Sequence, residues 1–174
     1  VHCMNLEPSA FLKIANGSKT IELRLNDEKR QKIKIGDTIE FHCGEINSII
    51  FATVIKLHKF PDFEQLYNAL PLEKCGYSKN YLKTAHYMDM EKYYTKEQIK
   101  KYGALGIELQ KIIAIVDVKA SLFDPEILAL MKPSVYNPTP ERLKDRAEKY
   151  SADKKFNVYA CKIDGVYAGI VVLK

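Results

Sequence analysis

From Thr20 to Leu25 the chain alternates strictly between polar and apolar residues. A period of two predicts a strand with Ile21, Leu23 and Leu25 facing a core and Thr20, Glu22 and Arg24 facing outward. Before it, Pro8 suits a first helical turn, Phe11 and Ile14 share a helical face, and Asn16-Gly17 supplies a stop. After it, Asn26 to Arg30 is polar and turn-prone. Ile33 and Ile35 alternate with Lys32 and Lys34, Gly36-Asp37 turns the chain, and Thr38 to Phe41 alternates again. Ile49 to Leu57 is apolar at nearly every position and β-branched, the pattern of a central strand buried on both faces.

Helical signals follow. Asp62 can cap a helix carrying Phe63, Leu66 and Tyr67. Residues 71–94 show little periodicity. Thr95-Lys-Glu-Gln98 matches a capping box, with Gly103 as the stop. Gly106 to Leu109 and Ile112 to Val118 read as two strands. Several short strands with helices between them predict a small closed or partly closed barrel and not a parallel sheet. Near Lys119 the pattern changes: Asp124-Pro125 and Thr139-Pro140 each open a helix. Phe156–Ile163 and Val166–Leu173 flank an Asp164-Gly165 turn of hairpin type. The predicted organisation is α+β, a first domain over 1–118 and a helix-helix-hairpin appendage over 119–174.

Composition narrows the class only slightly. The 174 residues are 47% hydrophobic and 28% charged with a net charge of +5, values ordinary for a globular protein. A mild basic excess permits a nucleic-acid partner without requiring one. Locally the excess is sharper. Lys19, Arg24, Lys29, Arg30, Lys32 and Lys34 face only Glu22, Asp27 and Glu28 between Lys19 and Lys34. An ordered Lys, Glu and Arg on one polar strand face suits an anionic, hydrogen-bonding ligand such as a nucleotide.

Cys3, Cys43, Cys75 and Cys161 form no Cys-x-x-Cys pair, and the four histidines have no metal-type spacing. A zinc site from His2-Cys3 and His42-Cys43 is outweighed by scattered reduced thiols in a cytoplasmic protein, so no metal is expected. No leader or bilayer-length apolar run is read, and no membrane partner is expected.

Gly17-Ser-Lys-Thr-Ile-Glu-Leu-Arg24 resembles the signature of the ASCH family, Gly-x-Lys-x-x-Glu-x-Arg, present as Gly17, Lys19, Glu22 and Arg24. The Gly36-Asp37 turn and the segment from Tyr93-Tyr94-Thr95 to Ile107 resemble later family features, so the likeness covers about residues 2–115. It implies a PUA-like small β-barrel with inserted helices. It also implies a cleft for RNA or a modified nucleoside, with Lys19, Glu22, Arg24 and Tyr94 as binding residues. Lys19 and Arg24 can engage a phosphate or base edge, Glu22 can accept from an exocyclic amine, and a tyrosine can stack a base.

Some small members of the family are amidohydrolases that deacetylate acetylated cytidine with a Lys, a Thr nucleophile and a Glu. Lys19 matches the Lys, but Glu22 stands where their Thr stands, and a carboxylate is a poor nucleophile for amide cleavage. If the chain is an enzyme, Lys19 and Glu22 are its catalytic residues, with Glu22 as base for water and Lys19 on the oxyanion. The third residue falls near Asp89 or Glu91. A binding pocket without chemistry is the slightly favoured reading. Most of the eleven tyrosines are expected to be packing residues, and Lys96, Lys100 and Lys101 a solvated helix face.

The segment 139–173 weakly resembles the start of a GNAT acetyltransferase, through its helix, hairpin and Asp-Gly turn. The acetyl-CoA loop of that family follows a further strand, and Lys174 comes first. The likeness therefore implies a fragment of such a domain or a structural appendage, and no cofactor.

Overall fold

The computed structural model describes residues 1–174, with the side chains of Asn47 and Lys111 outside the described set. Strand β1 (His2–Asn5) leads into helix α1 (Pro8–Ala15), which starts on Pro8 and buries Phe11, Ile14 and Ala15. Strand β2 (Ile21–Leu25) follows. Residues 30–32 make a single 3₁₀ turn, and Ile33 is buried while Ile35 is exposed, so the alternation around Lys34 is not a strand. Strands β3 (Thr38–Cys43) and β4 (Ile46–Phe60) form the next antiparallel pair.

Asp62 caps helix α2 (Phe63–Ala69), accepting from the Gln65 backbone N–H at 2.8 Å. Thr95 and Gln98 form the capping box of helix α3 (Lys96–Tyr102). Gly103 ends it with φ +73°, in a spot where a Cβ would lie 2.5 Å from the Phe60 carbonyl oxygen. Strand β5 (Ala104–Asp117) is continuous, so the two predicted strands after Gly103 are one. Helices α4 (Pro125–Met131) and α5 (Pro140–Ala152) and the hairpin of β6 (Asn157–Ile163) and β7 (Val166–Leu173) complete the chain. Asp164 and Gly165 both have positive φ, as the two-residue turn requires.

All seven strands belong to one sheet, ordered β1-β3-β4-β5-β6-β7, with β2 on the first part of β5. β5 organises it. Its residues 104–108 pair with β2, and residues 113–117 pair with β6, while β4 runs along most of its other edge. The expected barrel is strand-rich and carries inserted helices, but its hydrogen-bond ladder is not closed: β1 pairs with β3 and β2 with β5, and the two do not pair with each other.

Three packed clusters follow this layout. One lies between α1 and the inner faces of β1, β3, β4 and β5, and a second between β2, α2 and residues 70–90. The third joins α4 and α5 to β6 and β7, and Val116 packs against both the first and the third. Ile50, Ala52 and Val54 of β4 are buried, whereas Ile49 and Phe51 are half-buried and Ile55 is exposed. β4 is central, but its half-buried and exposed positions alternate with the buried ones, so it is not buried on both faces.

Candidate ligand pocket

On the unpaired side of the sheet, β2 and the turn after β1 border a pocket of about 520 Å³. Its far wall comes from the aperiodic stretch 75–94, through Tyr77, Tyr81, Asp89, Tyr93 and Tyr94. Main-chain bonds hold this wall to the signature strand. The N–H groups of Thr20 and Ile21 both donate to the Lys74 carbonyl at 2.9 Å, and Lys13 Nζ donates to the Gly76 carbonyl at 2.8 Å.

As predicted, Ile21, Leu23 and Leu25 of β2 are buried against the core. The other face differs from expectation. Glu22 is only 4% exposed and Lys19 only 9%, since segment 71–94 roofs the side that should have met solvent. Beneath that roof the three signature side chains converge. Lys19 Nζ lies 3.0 Å from Glu22 Oε2, and Arg24 Nε lies 3.0 Å from Glu22 Oε1. Neither Glu22 Oε2 nor Arg24 Nε has a hydrogen-bond partner, so both contacts are ionic and poorly directed. A buried carboxylate tolerates this only because two cations offset its desolvation.

Arg24 is fixed from three directions. Its Nη2 donates to the Asn5 carbonyl at 2.7 Å, bridging β1 and β2 where the ladder is missing. Burial works against its charge, but Glu22 and then the Tyr94 hydroxyl outweigh that and raise its pKa. Tyr94 in turn stacks on Phe63, with ring centroids 5.9 Å apart and planes within 3°. The fourth predicted site residue therefore joins the other three. Tyr93 is about half exposed, with the Lys92 ammonium 5.0 Å from its ring centre.

Of the two looser candidates, Asp89 lines the pocket and also caps the short turn after His86, accepting from the His86 N–H at 3.2 Å. Glu91 is not among the lining residues and faces Lys96 at 3.9 Å. Among the lining residues that the sequence did not point to are Gly76 and Cys75. Gly76 has φ +100°, and a Cβ there would lie 3.0 Å from Lys19 Cδ, so this glycine leaves room for the lysine stem. Cys75 is buried beside it, and that burial pushes its thiol pKa up to about 11, partly opposed by Lys19.

Of the four residues in the discounted zinc reading, only Cys3 and His42 approach each other, with ligand atoms within 4.8 Å; His2 and Cys43 lie elsewhere. His2 pairs with Asp37 at 2.8 Å, and Cys43 is buried on the core side of β3. No helix among the described residues is long and apolar enough to cross a membrane.

An open strand-rich sheet with inserted helices and a Lys-Glu-Arg pocket at the Gly-x-Lys-x-x-Glu-x-Arg strand define an α+β, PUA-like fold. The chain belongs to the ASCH domain family, whose model matches residues 4–113. That family is thought to bind RNA. Among solved structures, a hypothetical protein is 30% identical, with 62% of this chain and 94% of that chain covered and a TM-score of 0.49. A Pyrococcus furiosus protein is 29% identical over 62% of this chain and 94% of that one, with a TM-score of 0.47. The ASCH protein of Zymomonas mobilis is 16% identical over 84% of this chain and 92% of its own, with a TM-score of 0.44. No curated protein matches.

Proposed function

We propose that the chain is an RNA or modified-nucleoside binding module whose pocket works through Lys19, Glu22, Arg24 and Tyr94. The supporting observation is the buried Lys19–Glu22–Arg24 ion triad on the floor of a tyrosine-walled pocket of about 520 Å³. That volume lies within the range of about 300–1,000 Å³ usual for small-ligand sites. The triad carries one net positive charge, so Lys19 and Arg24 can donate to a phosphate or a base carbonyl while Glu22 keeps both in place. Tyr93 offers an exposed ring for a splayed-out base.

Titration of short single-stranded RNAs and free nucleosides, followed by intrinsic tyrosine fluorescence, tests this reading. Wild type should bind, and a Lys19→Ala/Arg24→Ala double variant should bind at least about tenfold more weakly. Equal binding by the two proteins, or none by wild type, rejects it.

Hydrolysis of an acetylated cytidine-like nucleoside is the second reading. It is favoured by the 3.0 Å contact between Lys19 and Glu22, which pairs a cation for an oxyanion with a carboxylate base. Against it, Glu22 Oε2 is buried beneath Lys19, so water gains access to that oxygen only after the lysine moves. Incubation with acetylated cytidine and chromatography of the products decides it: an unchanged substrate removes this reading. We treat residues 119–174 as an appendage to the pocket-bearing part.

A further inference from the structure

Away from the pocket, on the outer face of the sheet, β1 runs parallel to β3 with Cys3 opposite Glu40 and Asn5 opposite His42. Ile39, Phe41 and Cys43 of β3 are buried, so the strand period of two turns Glu40 and His42 to the other face. Cys3, paired with Glu40, joins them there. Cys3 Sγ, a Glu40 carboxylate oxygen and a His42 ring nitrogen all lie within 4.8 Å of one another, and His42 Nε2 is 2.7 Å from Glu40 Oε1. All three side chains are solvent-accessible to some degree, and β1 is an edge strand with no partner beyond β3.

We propose that Cys3, Glu40 and His42 form a surface site for a divalent transition metal of the zinc class. The donor set decides the class. One thiolate, one imidazole and one carboxylate are borderline donors that suit zinc or cobalt(II), whereas magnesium and calcium take oxygen shells. The charge agrees, because a thiolate and a carboxylate balance a dication. The distances agree as well. Tetrahedral bonds of about 2.0–2.3 Å place neighbouring donors about 3.3–3.8 Å apart. The His42–Glu40 contact of 2.7 Å has to open by about 0.6 Å to reach that spacing, and the thiol, within 4.8 Å of both, has to close by at most about 1.3 Å. Both shifts are single rotamer adjustments on backbones fixed by two hydrogen-bonded strands.

On binding, the thiol loses its proton to solvent and its sulfur forms the metal bond. His42 gives the metal an imidazole lone pair, and the fourth position stays with water. Cys3 and His42 belong to the zinc reading that spacing along the chain disfavoured; the pairing of β1 with β3 brings them together and adds Glu40.

Cobalt(II) titration of the reduced, chelator-treated full chain tests the site. One equivalent should produce a thiolate-to-cobalt charge-transfer band, and zinc should abolish it while magnesium leaves it. Cys3→Ser should remove the band, and Cys161→Ser should keep it. Glu40→Gln and His42→Asn, each checked for an unchanged circular dichroism spectrum, should weaken cobalt binding by at least about tenfold. No band with wild type, or a band that survives in Cys3→Ser, overturns the proposal. Equal affinity in all four variants and wild type overturns it as well.

Discussion

Arg24 donates to the Asn5 carbonyl at 2.7 Å across the gap between β1 and β2, which do not pair with each other. The residue that signs the motif is thus also the clasp between β1 and β2. Its guanidinium spans the gap because several donors in a planar fork can serve a carbonyl and a carboxylate together, which a single ammonium cannot do.

Arg24→Lys should therefore uncouple the two roles poorly and lose both. Removing the fork leaves Glu22 with one well-placed cation and the Asn5 carbonyl without its donor. We expect a loss of about 2 kcal/mol, below the about 3–5 kcal/mol of a fully broken buried pair because Lys19 remains. Chemical denaturation measures it, and an unchanged midpoint would contradict the clasp.

Gly76→Ala bears on the lysine. The positive φ and the 3.0 Å approach to Lys19 Cδ make any side chain there strained. A cost of about 1–2 kcal/mol in stability is expected. RNA affinity should fall with it, since Lys19 Nζ is displaced. Alanine at Gly44, where a Cβ would meet nothing within 4 Å, is the comparison and should leave affinity unchanged.

Cys75 gives a pH signature. Its folded pKa is pushed up to about 11, chiefly by burial. The folded state holds the proton more tightly, so this contribution is complete below about pH 9 and disappears as pH rises towards about 11. In that window wild type should lose up to about 1.4 kcal/mol per pH unit more than Cys75→Ala. Tyr67 and Tyr77 are raised as well, by burial and, for Tyr67, by their mutual hydrogen bond of 2.5 Å. They slope both proteins alike, so the difference between the two curves isolates the thiol. Parallel curves would show that the thiol is not shielded.

The hairpin turn of residues 164–165 presses on the start of the signature. A Cβ at Gly165 would lie 2.5 Å from the Asn16 carbonyl oxygen, and Asp164 Oδ1 accepts from the Ile112 N–H at 2.8 Å. Gly165→Ala should cost about 2 kcal/mol through its positive φ and that clash. Thermal unfolding checks it, and an unaltered melting temperature would place the turn free of Asn16.

The motif strand was legible because its alternation and its charges lie within one short stretch. Pro8, Asp62, Thr95, Asp124 and Thr139 announced their helices for the same local reason, since a cap needs only three or four neighbouring residues. The burial of Glu22 was not legible, because its roof comes from residues 71–94, which carry no periodicity. The half-buried face of β4 was hidden as well: an apolar run does not say whether a second layer covers it. Asn5, Gly76 and the Cys3–His42 approach depend on pairings between distant segments, which spacing along the chain does not encode.

Whether RNA enters the Lys19–Glu22–Arg24 pocket is read by following backbone amides by nuclear magnetic resonance while a short single-stranded RNA is added. Saturable shifts are expected at Lys19 to Arg24, Gly76 and Tyr94, lost in the Lys19→Ala/Arg24→Ala variant. Shifts confined to other surfaces, or no shifts at all, would contradict binding there.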